Sequence, residues 1–531
     1  MKHRIEKIYL PFWVTACLMV AFFSCIENNL PYPIVRLSIK DFAVNGQIGD
    51  AVFNNEERTI TVSLLDSVDL KKVLVTRFVY TDADGATADL VANSTIDLTS
   101  PKEVTLSLYQ EYKWKIIAEQ TIERRFKVKN QVGQSYFDVK NRQAVTYVNK
   151  KTMLNKITVQ DLKLAPISSE ITPDFASMKD FREPQKVNVT FKGETEEWTL
   201  YVFITDKVVS TVSADGWTNV AWLYGEGQED MINGFEIRES TSDEWVKVDQ
   251  DMVKQEGVTF SVCVPHLKAE TEYVYRTVAG EDYGEEKTFT TTAAIVLPGG
   301  TFDNWHQNGK VWNPWGEDET PFWDSGNKGA TFFGESNTIP TDDIWAGKET
   351  GKAAKLESKF VGIGSTTGKL AAGNMFVGRF VEIPQGTTDG VLNFGKPFTA
   401  YPTRLKGYYK YAPAIIDYAS GEYASLKGVP DTCSIYIAVG DWSSPVEIRT
   451  ASANRKLFDK NDKNVIAYAE FFSGTPVAVY KEFNLELKYR ATNRKPTYII
   501  IVCSASRYGD FFTGGSGSVL YVDELTLEYD Y

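Results

Sequence analysis

An internal repeat constrains this chain more than any other feature. FAVNGQIGDAVFNNEERTITV, beginning at Phe42, aligns without gaps on FKVKNQVGQSYFDVKNRQAVT, beginning at Phe126. Phe42 falls on Phe126, Val44 on Val128, Gln47 on Gln131, Gly49 on Gly133, Phe53 on Phe137 and Arg58 on Arg142. The match continues through Leu70 with Leu154 and Lys72 with Lys156. After a slip of one residue, Pro101 meets Pro184 and Val104 meets Val187, and Trp114 then meets Trp198 at the original offset. An offset of about 84 residues is too long for a solenoid unit and right for a small β-sandwich. Alternating apolar residues mark strands in TITVSL (59–64), VLVTRFVY (73–80) and VTLSL (104–108), and Asp82-Ala83-Asp84-Gly85 supplies turn chemistry between them.

These features predict two tandem modules, 37–120 and 121–205, that resemble immunoglobulin-like spacers of bacterial surface lipoproteins. Neither clusters the polar or aromatic side chains a ligand site needs, which favours a stalk. A third module, 206–296, carries Trp222 in NVAWLY, a middle strand GFEIRES at 234–240, and Leu267, Thr271 and Tyr273 in the spacing L-x-x-x-T-x-Y. That pattern resembles a fibronectin type III domain. The resemblance implies a Tyr273 hydroxyl bonded back to the backbone at a strand corner, a structural role. His266, just before the corner, reads as a surface or packing residue.

The chain has 531 residues, enough for three to five domains. Its 57 Lys and Arg against 70 Asp and Glu give a net charge of −13, which argues against nucleic acid as a partner. Only 3 His are present, so chemistry built on a His cluster is nearly excluded. At the start, Lys2, Arg4 and Lys7 precede an apolar run from Ile8 to Phe23 that ends at Ser24-Cys25. The pattern resembles a bacterial lipoprotein signal over 1–24, with Cys25 as the lipidated residue and 25–36 as an extended spacer. It implies attachment to the outer membrane through a lipid anchor, with the exposed face left open. Among the 5 Cys, Cys433 and Cys503 in apolar runs either pair or remain as buried thiols.

From 297 to 531 tryptophan becomes dense and short strands recur without a repeat, as in MFVGRFVEI (375–383), SIYIAVG (434–440) and SVLYVDELTLEY (518–529). This predicts a jelly-roll β-sandwich. The fold class is therefore all-β: tandem sandwiches followed by a jelly roll. TFDNWHQNG, PFWDSGNKGA, LAAGNMFVGRF, FGKPFTAYPTRLKGYYKY and SASRYGDFFTGGSGSVLYVDELTLEY together resemble the carbohydrate metabolism domain of Bacteroidetes lipoproteins. The resemblance implies a polysaccharide or oligosaccharide ligand and a place in an outer-membrane uptake complex. It supplies no catalytic residues.

Two constellations invite a chemical reading. Asp303 near the start of the domain, with Asp523 and Glu524 in its last strand, are candidates for an oxygen cage around a structural calcium ion, which takes six to eight hard ligands. Trp305, Trp312, Trp315 and Trp323 fall in a loop-rich stretch with Asn327. Indole faces stack on sugar C–H faces and amides bond hydroxyls, so these residues are candidate glycan contacts. In GYYKY, Tyr408 and Tyr409 point to opposite strand faces, and Tyr409 joins the candidates. A glycoside hydrolase using two carboxylates is the main rival, and a protein adhesin the second. No G-x-S-x-G elbow is present, and GKETGKA at 347–353 is one residue short of a phosphate loop.

Overall fold

The computed structural model describes residues 37–531 apart from 192, 364–366, 386–389, 420 and 452–453. The expected signal segment and Cys25 lie outside the described residues. The described chain is built almost wholly of strands, and its one α-helix is the single turn Asn327–Ala330. Residues up to Ile122 form one compact unit and Glu123–Tyr531 a second.

The first unit packs a three-stranded sheet on a five-stranded one. In the larger sheet Thr59–Ser63 runs parallel to Gln110–Glu119, with Thr59 opposite Lys115. The next module repeats the device: Gln143–Asn149 runs parallel to Glu194–Thr205, with Gln143 opposite Thr199. Both partners have moved by the offset of the sequence repeat, so the register itself is repeated. The matched residues explain why. Gln47 Oε1 accepts from Val44 N–H at 3.1 Å and its amide donates to the Gly49 carbonyl at 2.9 Å. Gln131 does the same with Val128 and Gly133 at 3.1 and 2.8 Å. Gly49 and Gly133 both hold positive φ, near 70° and 73°, where a Cβ is disfavoured. Trp114 and Trp198 are the largest buried side chains of the two cores, each with an indole N–H that lacks a hydrogen-bond partner.

The third module packs a four-stranded sheet on a five-stranded one. Tyr273 sits at the strand corner, and its hydroxyl oxygen accepts from Lys268 N–H at 2.9 Å. This module is bound tightly to the last one. Trp217 is fully buried, lies parallel to Tyr401 (centroids 5.2 Å apart, 9° between planes) and meets Tyr489 at 4.0 Å. Its indole donates to the Thr492 carbonyl at 2.9 Å. Thr492 donates to Asp215 at 2.6 Å, and His266 meets Asp530 through both its backbone N–H (3.1 Å) and its ring Nδ1 (2.6 Å). The stretch 293–300, which reads as a linker, is docked as well: Leu297 is buried and Tyr529 donates to the Ile295 carbonyl.

The last module is a two-layer sandwich of a nine-stranded and a five-stranded sheet. Alternate residues of the larger sheet, among them Met375, Val377, Ile435, Ile437, Ile499 and Ile501, face the smaller one and form its core. The intervening residues are also apolar. Phe376, Phe380, Leu392, Phe394, Ile500 and Val502 form a second cluster on the opposite face. Both faces of these strands are thus covered, which is why YIIIVC and SIYIAV read as continuous apolar runs rather than an alternation. Cys433 and Cys503 are free thiols. Burial pushes the Cys433 thiol up to about 12 and raises Cys503 as well.

Candidate functional site

The second apolar cluster is not closed. Between the outer face of the nine-stranded sheet and the loops above it lies a hollow of about 410 Å³. Strand register dictates its floor. Asn374 lies opposite Ser504, and Ser504 opposite Ser434, giving one polar row across three strands. Two residues along, Phe376, Val502 and Tyr436 form an apolar row. Phe380, Leu392 and Phe394 extend the apolar end. Phe332 and Phe333, which follow the short helix, are exposed at the border and meet edge to face at 4.7 Å.

Asp510 is the acidic group of the hollow, which Lys369 and Arg507 also line. A Cβ at the preceding Gly509 would meet Ala372 at 2.3 Å and Ser504 at 3.8 Å, so this segment lies against the polar row. Asp510 keeps an exposed surface within the hollow, yet surrounding protein pushes its carboxyl above the ordinary range, with Arg455 opposing the shift. Burial likewise raises the Tyr436 hydroxyl well above its ordinary value, and the Asp510 charge adds to that. Among the described residues, the Asp510 carboxylate, the Tyr436 hydroxyl and the Ser434 hydroxyl take no hydrogen-bond partner, whereas Ser504 donates to the Ser506 carbonyl. Three polar groups converge on one space with bonds left to make, a pattern expected of a ligand site.

The other constellation has a different centre. Asp303, Asp523 and Glu524 do converge, on the ammonium of Lys348, at 2.8, 3.1 and 3.1 Å. The Thr301 and Lys352 carbonyls accept from the same ammonium at 2.6 and 2.8 Å. The positive charge assigned from sequence to calcium is carried here by a lysine of GKETGKA, the segment that looked like a failed phosphate loop. Among the described residues no group of three or more His, Cys, Asp or Glu side chains is placed to hold a metal ion. The surrounding backbone is shaped to this cage. Trp345 N–H donates to Asp523 Oδ2 at 2.9 Å, Lys352 N–H donates to Asp303 Oδ1 at 3.0 Å, and a Cβ on Gly351 would sit 2.0 Å from that same oxygen.

The six residues expected to touch glycan are dispersed, and three of them are corrected to structural roles. Trp323 is buried in the core and donates to the Pro298 carbonyl. Asn327 is buried at the start of the helix. Its amide donates to the Trp312 and Thr338 carbonyls while its oxygen accepts from Asn337 and Thr338 N–H, so nothing is left for a sugar. Tyr409 is also buried, with its ring against Phe471 and Phe483. The outward residue is Tyr408, stacked on Trp345 at 3.9 Å. Trp305 is half-buried and tied to the Phe302 carbonyl. Trp312 is half-buried at the small hairpin His306–Asn308/Val311–Asn313. Trp315 packs on His306 and, alone of the six apart from Trp323, borders a second hollow, of about 390 Å³, beside Asp303, Asn304 and Glu319. None of Trp305, Trp312, Trp315, Trp323 and Tyr409 lines the hollow on the nine-stranded sheet. Tyr436 was missed because a strand apolar on both faces hides its ligand-facing side, and Asp510, in the short turn Gly509–Phe511, is one of several acids that nothing in the sequence pairs or singles out. The one local signal was the exposed pair Phe332-Phe333.

Residues 301–528 match the family described as "Putative carbohydrate metabolism domain". No curated protein matches the chain. Among solved structures, a putative glycoside hydrolase from Bacteroides thetaiotaomicron is similar at 15% identity and TM-score 0.31, over 94% of this chain and 99% of its own. One from Bacteroides vulgatus is similar at 23% identity and TM-score 0.32, over 44% of this chain and 97% of its own. The tandem of two CBM22 modules from Paenibacillus barcinonensis aligns at 10% identity and TM-score 0.18, over 77% of this chain and 99% of its own. Likenesses this distant speak neither to activity nor to ligand.

Proposed function

We propose that the last module binds a saccharide without cleaving it, in the hollow on the outer face of its nine-stranded sheet. The observation that carries this is the convergence of the Asp510, Tyr436 and Ser434 polar groups, all without partners among the described residues, on a ring-walled hollow inside the region that matches a carbohydrate-related family. Aromatic walls serve the C–H faces of a sugar and a carboxylate serves its hydroxyls. Hydrolysis needs two carboxylates at a set separation, and Asp510 is the one carboxylate among the described residues that line the hollow, which favours binding over hydrolysis.

Asp510→Asn tests this reading in the full chain against a glycan panel. A hydrogen bond to a charged group is worth about 1.5–3 kcal/mol, so affinity should fall roughly tenfold or more. The sign for stability is opposite. A carboxyl raised in the folded chain costs stability as pH climbs through the window between its unfolded and folded values, and the neutral amide removes that cost. Melting at neutral pH should therefore stay level or rise while binding is lost. A variant that binds as tightly as the parent, or that releases product from the panel, would defeat the reading.

The same proposal places the chain in the cell envelope as an outer-membrane lipoprotein anchored through Cys25, within an uptake complex. The first two modules serve as immunoglobulin-like spacers and the third is fibronectin type III-like. Cys25→Ala is expected to abolish incorporation of labelled palmitate and to move the chain from the membrane fraction to the soluble one. Persistent labelling would count against the anchor.

A further inference from the structure

The hollow on the nine-stranded sheet has two unlike ends, and their separation is set by strand geometry. The polar row Asn374–Ser504–Ser434 and the apolar row Phe376–Val502–Tyr436 are two residues apart on the same strands, a rise of about 7 Å. Asp510 accompanies the polar row through Gly509. Beyond the apolar row lie Phe380, Leu392 and Phe394, and the hydroxyl there among the described lining residues, that of Thr450, is already bonded to the Gly390 N–H and carbonyl at 3.1 and 3.5 Å. Driving a second hydroxylated ring there would strip its hydroxyls of water without replacing the lost bonds. An unsubstituted oligosaccharide fits one end of this hollow and is rejected by the other.

From this we infer that the saccharide recognised here carries an aromatic substituent, as an aryl aglycone or an aromatic ester. The sugar ring sits on the polar row beside Asp510 and the aromatic ring lies among Phe376, Phe380 and Phe394. The inference rests on the saccharide reading above and narrows it to a ligand class. A ring suits the space better than an open chain. Phe376 and Phe394 are tilted at 42° with centroids 4.8 Å apart, and Phe332 and Phe333 present an edge-to-face pair at the border, so a third ring finds both faces and edges to meet.

Calorimetric titration of the full chain decides the matter, with p-nitrophenyl glycosides, the methyl glycosides of the same sugars, and p-nitrophenol alone. The expected result is at least tenfold tighter binding of one p-nitrophenyl glycoside than of its methyl counterpart, with p-nitrophenol at least tenfold weaker than that glycoside. Phe332→Ala and Phe333→Ala, at exposed positions that leave the core intact, should shrink the advantage of the aryl glycoside over its methyl counterpart severalfold. Equal affinity for methyl and p-nitrophenyl glycosides overturns the aromatic inference and leaves the saccharide reading standing. Binding of p-nitrophenol as tight as that of its glycosides, or no binding of any glycoside, overturns both.

Discussion

Lys348→Ala should cost the last module about 3–5 kcal/mol, the usual penalty when one partner of a buried ion pair is removed and the other charges stay behind. The Lys348 side chain is 9% exposed, and its ammonium holds three carboxylates and two carbonyls from three parts of the chain. The variant has a second, less ordinary consequence. It leaves five oxygens around an emptied centre, close to the lower end of what calcium takes, with water to complete the shell. Millimolar calcium should therefore restore part of the lost melting temperature in Lys348→Ala and do nothing for the parent chain. Scanning fluorimetry with calcium or with a chelator checks both. A parent chain that loses stability on chelation would refute the idea that lysine serves as the cation here.

The pH dependence of this clasp follows from its partners. Burial pulls the Lys348 ammonium down, but its hydrogen bonds to Asp303, Asp523 and Glu524 outweigh that and hold it above 10.5. Its contribution is complete below that ordinary value and is lost as pH rises through the raised one. Burial pushes Asp303 up, but the bonds from Lys348 and Lys352 outweigh it and hold the carboxyl below 3.8. Its contribution is present above 3.8 and is lost as pH falls through the lowered value. The clasp is therefore constant through neutrality and yields only toward both extremes.

Trp217→Ala is the second large effect. Truncating a fully buried tryptophan costs about 3–5 kcal/mol, and here the loss falls on a junction rather than on one core. Tyr401 loses its stacking partner, Tyr489 loses a tilted ring contact, and Thr492 loses the indole donor. In calorimetry the third and last modules should unfold together in the parent chain and as two separate transitions in the variant. If the parent already shows two transitions there, the junction does not couple them.

Much of this architecture is legible in residues alone, and the reasons differ by place. The repeat was readable because Gln47 and Gln131, Gly49 and Gly133, and Trp114 and Trp198 perform the same local tasks twice, so selection for geometry appears as identity at fixed offset. Asp303, Asp523 and Glu524 were legible as a convergent set because the start of the domain lies beside its last strand, where Leu525 N–H donates to the Gly300 carbonyl. The sequence could not reveal that a loop lysine would reach their centre, since Lys348 comes from a hairpin more than a hundred residues away from Asp523. The tryptophan cluster misled because density along the chain is not exposure. Asn327 and Trp323 look like loop residues, yet each is consumed by backbone groups. Choosing between Tyr408 and Tyr409 required knowing which strand face meets the second sheet, and alternation alone does not tell inside from outside.

The repeated parallel pairing bears on how the first two modules would carry tension. When strands run parallel, the start of one and the end of the other lie at opposite ends of the pair. Thr59–Ser63 comes early in its module and Gln110–Glu119 ends it, and Gln143–Asn149 and Glu194–Thr205 stand in the same relation. A pull along the chain therefore loads the bonds between such strands sideways and all together, instead of peeling them one at a time. Each module has a shear-loaded latch near its entry and exit. A protein tethered at one end while gripping a polymer at the other would have use for two of them in series.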